Sequence, residues 1–153
     1  MEIIQSTGKD IDEIFRLYDE AIAFQKTVFK KHWLPFDRQM VEKEIQEGRQ
    51  WKIVVNGEIA CVFAVAYSDP YIWGERGHGN AVYIHRIVTN PTFRGGNYVQ
   101  HIVTWAIQHV KETGNTYLRM HTWGDNDRLI EYYIQCGFNF LGVFTPADIS
   151  KLP

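Results

Sequence analysis

A chain of 153 residues, 45% hydrophobic and 22% charged, has the composition of a soluble globular protein rather than a disordered one. One domain is expected at this length, burying roughly 68–70% of the surface its unfolded chain exposes. A formal net charge of −2 sets aside nucleic acid as the main partner, because phosphate recognition takes a dense Lys/Arg surface. The basic cluster Lys26, Lys30 and Lys31 reads instead as the solvated face of a helix.

The opening "MEIIQSTGKDIDEIF" has neither a basic leader nor an apolar core, so no signal peptide is expected. No apolar run approaches the length of a membrane span. Cys61 falls in a strand-like run and Cys136 beside a helix end, surroundings that fit reduced structural thiols. The expected compartment is the cytoplasm, with no membrane partner.

A short strand, "MEIIQ", leads into a helix predicted from Asp10 to Phe29. Asp10 and Glu13 have the spacing of a capping box. Ile11, Ile14, Phe15, Tyr18, Ala21, Ile22, Val28 and Phe29 keep the three-to-four residue rhythm of a buried stripe. "HWLPF" interrupts it, and Asp37 can cap a second helix ending at Gly48. The period then changes to that of strands. "WKIVV", Asn56-Gly57 and "EIACVFAVAY" form a hairpin signal, since Asn-Gly favours the type I′ turn.

A glycine-rich loop, "SDPYIWGERGHGN", precedes a fourth strand, "AVYIHRIVT". After it comes "NPTFRGGNYVQHIVTWAIQHV", a proline-led turn with two glycines and then an apolar helical face that stops at Gly114. "TYLRMHTW" reads as a strand, Asp125 or Asn126 as the start of a helix closing at Gly137, and "FNFLGVF" as a last strand. The order β-α-α-β-β-β-α-β-α-β describes one α/β (α+β) domain over residues 1–153. Its early strands are expected antiparallel, with one parallel β-α-β step by a right-handed crossover, and about four flanking helices.

The turn from Arg94 to Val99 has two physical readings. It can be punctuation before a helix. It can also be a phosphate cradle, because glycines admit a close ligand and a helix start presents unpaired N–H groups at its positive end.

Two motifs and the element order make this chain similar to the GNAT superfamily of N-acetyltransferases. "HRIVTNPTFRGGNYV" resembles that family's strand–turn–helix cradle for coenzyme A. "NDRLIEYYIQCGF" resembles its Asn-x-x-aliphatic-x-x-x-Tyr-x-x-x-Gly-Phe segment, with Asn126, Leu129, Tyr133, Gly137 and Phe138 in place. The first motif departs from the family pattern, which has glycine or alanine where this chain has Asn97 and Val99. Asn is the non-glycine residue that best tolerates left-handed backbone, so Asn97 can keep the turn. Val99 sets a branched side chain where a diphosphate would pass.

The resemblance implies acetyl-CoA as donor and an amine of a small molecule or peptide as acceptor. It implies that Arg94, Gly95, Gly96, Asn97, Tyr98 and Val99 hold the diphosphate. The main chain of Ile87, Val88 and Thr89 would pair with the pantetheine arm as an added strand. Asn126 and Tyr133 belong to the same cofactor site, and Tyr133 corresponds to the family's proton donor, with Tyr132 left to packing.

The general base is less legible. His85, on the strand lining the implied cleft, is either the base or an ordinary strand residue. His121 is a second candidate, and Glu75 and His78 lie in the glycine-rich loop. Sequence spacing gives His85 and His121 no third ligand, so no metal is expected. Trp33, Phe36, Tyr71 and Trp73 offer apolar surface for an acceptor pocket, and Glu75 a countercharge for an ammonium group; each aromatic alone also reads as core closure.

The segment "FTPADISKLP" stops where a further strand of the family would start: either that strand is missing or a partner subunit completes the sheet, and the unpaired edge predicts a homodimer. Two other functions stay open: a GNAT-like ligand-binding or regulatory module with weakened catalysis, and a transferase of longer acyl groups.

Overall fold

A computed structural model of the chain describes residues 1–29, 31–74, 78–122 and 127–141, apart from the side chains of Tyr71 and His78. Lys30, Glu75, Asn126 and the C-terminal segment from residue 142 lie outside the described residues, as does the start proposed for the last helix.

Five strands form one sheet in the order β1-β2-β3-β4-β5: Glu2–Gln5, Gln50–Val55, Glu58–Ser68, His78–Thr89 and Tyr117–Met120. β1 pairs antiparallel with β2, and β2 with β3, while β4 and β5 run parallel. The α+β class and the β-α-β step expected from sequence are both present. Among the described residues five helices accompany the sheet: α1 (Ile11–Val28), α2 (Arg38–Gln46), α3 (Pro70–Trp73), α4 (Tyr98–Glu112) and α5 (Asp127–Gln135).

The β2–β3 hairpin turns as its sequence dictates, with Asn56 at φ 52 and Gly57 at φ 78, both positive as the type I′ turn requires. From Ala60 to Ala66 every residue of β3 is buried, so this strand is covered on both faces. Burial pushes the thiol of Cys61 up to about 12, which makes it an inert core group.

The described chain forms two compact units, with β3 and β4 contributing to each. The first holds Met1–Val65 and Arg86–Tyr98. Its core joins Ile11, Ile14, Leu17 and Tyr18 of α1 to Val41 of α2, with Val62 and Val88 from the sheet. Each such fully buried aliphatic side chain contributes about 1.5–3 kcal/mol relative to exposure.

Four local expectations need correction. The capping box lies one turn earlier, with Thr7 N donating to Asp10 Oδ2 at 2.8 Å, because a 3-10 turn at Gly8–Asp10 precedes α1. Glu13 instead accepts from Arg16 Nε at 2.9 Å. The buried stripe of α1 ends at Ile22; Val28 and Phe29 are half exposed where the helix runs past the core, and Leu17 carries burial that the stripe did not assign. The segment read as a glycine-rich loop contains α3 and the first residues of β4. Residues 138–141, the described part of the proposed last strand, are not paired as a strand.

The second unit holds Ala66–His85 and the chain from Val99 onward. Its core includes Ala66, Ala81 and Tyr83, with Trp73 packed against them. On α4, Ile102, Ala106 and Val110 are buried at four-residue intervals, the spacing of one helical face.

Candidate active site

β4 leads toward the proposed cradle. Its ladder with β5 runs from Ala81–Tyr117 to Ile84–Met120 and ends where β5 ends. Two residues on, Arg86 takes φ 50, a left-handed conformation uncommon for a non-glycine residue inside a strand. A buried network holds it there. The Arg86 guanidinium donates to the Glu44 carboxylate and, at 3.4 Å, to the hydroxyl of Tyr18. Gln50 Nε2 donates to the same hydroxyl at 2.8 Å and to Glu44 at 3.3 Å.

Beyond Thr89 the chain is pinned by Asn90, whose backbone N–H donates to Ala60 and whose side chain donates to the Ile59 carbonyl at 3.0 Å. The same side chain accepts from Thr92 N at 3.2 Å, so the proline-led turn is built on an Asx interaction. Gly95 (φ 89) and Asn97 (φ 55) then bring the chain to the start of α4. Asn97 therefore adopts the left-handed geometry its side chain tolerates.

This turn is open where a ligand would need room. A Cβ added at Gly95 would meet nothing within 4 Å, and Arg94, Gly95 and Asn97 are exposed. Gly96 is constrained from the other side: a Cβ there would collide with the buried Tyr98 ring. The Arg94 guanidinium lies 5.3 Å from the ring centre of Phe24. Trp33 and Phe36 are half buried, rings 5.6 Å apart, with Phe36 also set edge-on to Tyr18.

In the second unit, extending the parallel register by one residue sets His85 beside His121. Their rings stand edge-on, centroids 5.6 Å apart. The sequence offered no third group to this pair; the structure supplies Asp69. Nε2 of His85 lies 3.2 Å from Asp69 Oδ2, and Nδ1 of His121 lies 3.9 Å from the same oxygen. The three donor atoms fall within 4.8 Å of one another, so the lack of a third ligand no longer argues against a metal. Burial first, and then the neighbouring His85, lower the pKa of His121 to about 4, leaving it neutral at neutral pH. Asp69 escaped sequence reading because "SDP" looks like an ordinary turn; a carboxylate placed before proline was the available signal.

Trp73, on α3, packs 6.0 Å from Tyr83, and the Arg119 guanidinium sits 5.1 Å from its ring centre. Tyr71 also lies on α3. Val99 is half buried in the first turn of α4.

The spacing of the Tyr133 motif has a structural cause. Gly137, at φ 106, ends α5, with its N–H donating to the Ile134 carbonyl and that of Phe138 to Tyr133. These are the two bonds of a Schellman cap. The Phe138 ring then packs on Tyr133, the hydrophobic contact that accompanies such a cap.

The fold has counterparts among solved structures. A predicted acetyltransferase of Clostridium acetobutylicum, solved with acetyl-CoA, superposes with a TM-score of 0.68 at 15% identity, covering 97% of this chain and 96% of that one. A GNAT-family acetyltransferase of Listeria monocytogenes reaches a TM-score of 0.83 at 20% identity over 95% and 90% of the two chains. These likenesses establish the fold. An uncharacterized N-acetyltransferase of Bacillus subtilis, YesJ, is 27% identical over 110 residues, which take in 69% of this chain and 59% of that protein. The match thus spans less than two thirds of that relative's length. The model of the acetyltransferase (GNAT) family matches residues 11–138, and the chain belongs to that family.

Proposed function

We propose that the chain transfers an acetyl group from acetyl-CoA to a primary amine of a small molecule or peptide by direct attack. The observation that carries this reading is the run from Arg86 to α4: a strand bent at φ 50 past the end of its ladder with β5, then an open turn with Gly95 and Asn97 at positive φ before a 15-residue helix.

Backbone N–H groups from Arg94 to Val99 hold the diphosphate, with the helix dipole favouring its charge. Such a helix end contributes about 0.3–1 kcal/mol per exposed charge and up to about 2 kcal/mol when partly buried. Arg94 adds a charge-assisted contact. The main chain of Ile87, Val88 and Thr89 pairs with the pantetheine arm, and the N–H groups there meet the oxygen on which negative charge develops. When bound, the thioester supplies an activated acetyl group.

An alkyl amine with a pKa of about 10.4 must lose a proton to attack, and His85 is the group that takes it. Tyr133 protonates the departing thiolate. Asn126 belongs with Tyr133 on the cofactor side. Trp33, Phe36, Tyr71 and Trp73 shape the acceptor side, where Glu75 meets its ammonium form.

Incubation with acetyl-CoA and a panel of amines, followed by free-thiol detection, tests this reading. Amine-dependent thiol release supports it. Cofactor binding with no release for any amine would favour a ligand-binding module, and release from longer acyl thioesters alone would favour the broader acyltransferase.

A further inference from the structure

We infer that Asp69 is the positioning residue for His85, an inference that rests on His85 being the base. Asp69 stands at the N-cap position of α3 with Pro70 following, where an aspartate ordinarily accepts a hydrogen bond from the first turn of the helix. It makes no such cap bond. Its carboxylate turns instead to Nε2 of His85, at 3.2 Å, with both side chains less than a tenth exposed.

A buried carboxylate is costly unless it is hydrogen-bonded or paired, so this orientation has a compensating partner in His85. An ionised carboxylate accepts and cannot donate, which places the hydrogen of His85 on Nε2 and leaves the lone pair on Nδ1. Nδ1 is thus the basic atom. His121 does not compete: its Nδ1 is beyond hydrogen-bond reach of Asp69 and, among the described residues, buried without a hydrogen-bond partner. During transfer, the proton leaving the amine nitrogen goes to Nδ1 of His85. Asp69 keeps its charge and stabilises the imidazolium that results.

Three variants and one spectrum decide the matter. In the wild type, nitrogen shifts of the labelled imidazole should report His85 as the Nε2–H tautomer, and Asp69→Asn should lose that preference. Asp69→Asn should lower kcat by roughly a hundredfold or more with KM for acetyl-CoA unchanged, and Asp69→Glu should recover part of the rate. His85→Gln should fall at least as far. An inactive His85→Gln beside a fully active Asp69→Asn would overturn the role of Asp69 and leave His85 as the base. A fully active His85→Gln would remove both. Should Asp69→Asn fail to fold, the wild-type spectrum still decides, since an Nδ1–H tautomer contradicts the inference.

Discussion

The ring of Phe138 stands edge-on to that of Tyr133, centroids 6.2 Å apart, while its backbone N–H donates to the Tyr133 carbonyl at 3.1 Å. One local device therefore ends α5 and fixes where the proposed acid sits. Gly137 makes it possible, because φ 106 lies outside what a side-chain-bearing residue accepts without strain.

Gly137→Ala should cost about 1–2 kcal/mol and displace Tyr133, so that melting temperature and turnover fall together. Tyr133→Phe should separate them, slowing thiol release without abolishing acetyl-CoA binding. Scanning fluorimetry beside the thiol assay checks both, and a Tyr133→Phe enzyme at full rate would remove the tyrosine from the acid role.

Arg86 and Glu44 form an ion pair with almost no exposure to solvent. Removing one partner leaves the other charge buried. Glu44→Ala should therefore destabilise the fold by about 3–5 kcal/mol in denaturant titration, and Glu44→Gln by less because an acceptor remains. A loss below about 1 kcal/mol for Glu44→Ala would mean that the network does not hold the bend in β4.

Asp10 predicts an acid-sensitive contribution. Burial acts to raise its pKa, but the Lys52 ammonium at 2.8 Å and the Thr7 amide outweigh burial and hold it below the usual carboxylate value. A depressed folded pKa stabilises the native state fully above the unfolded value of about 3.9, and that stability is lost as pH falls through the lower folded value. Asp10→Asn should be less stable than wild type at pH 7, the difference shrinking toward pH 2. A constant difference across that range would contradict the assignment.

Gly96 is required by its neighbour rather than by its own backbone. Gly96→Ala should cost about 1–3 kcal/mol through collision with the Tyr98 ring. In a Tyr98→Ala background the same change should cost markedly less, a coupling that a double-mutant cycle measures directly. Equal costs in both backgrounds would show that the clash is absent.

Local chemistry made much of this legible. Asn56-Gly57 announced its hairpin, Asp37 its cap (accepting from Gln39 N at 3.0 Å), and Asn97 its left-handed turn. The spacing of Tyr133, Gly137 and Phe138 carried the family and, in the structure, a helix cap. What sequence could not give were partners set by packing. Glu44, Gln50, Tyr18 and Arg86 meet from four different elements, and no short motif records that. Asp69 looked like a turn residue because its partner, His85, sits on a strand 16 positions away. The α1 stripe misled at Val28 and Phe29, since periodicity reports which face is apolar but not how far the core extends along it.

The most direct test of the central claim compares the thermal stabilisation given by acetyl-CoA with that given by acetyl-pantetheine, which lacks the diphosphate. Acetyl-CoA at a hundredfold its dissociation constant should stabilise the fold by about 2.7 kcal/mol, with acetyl-pantetheine at the same concentration giving far less. Equal stabilisation by the two, or none from acetyl-CoA, would contradict a diphosphate held by the turn at Arg94–Val99.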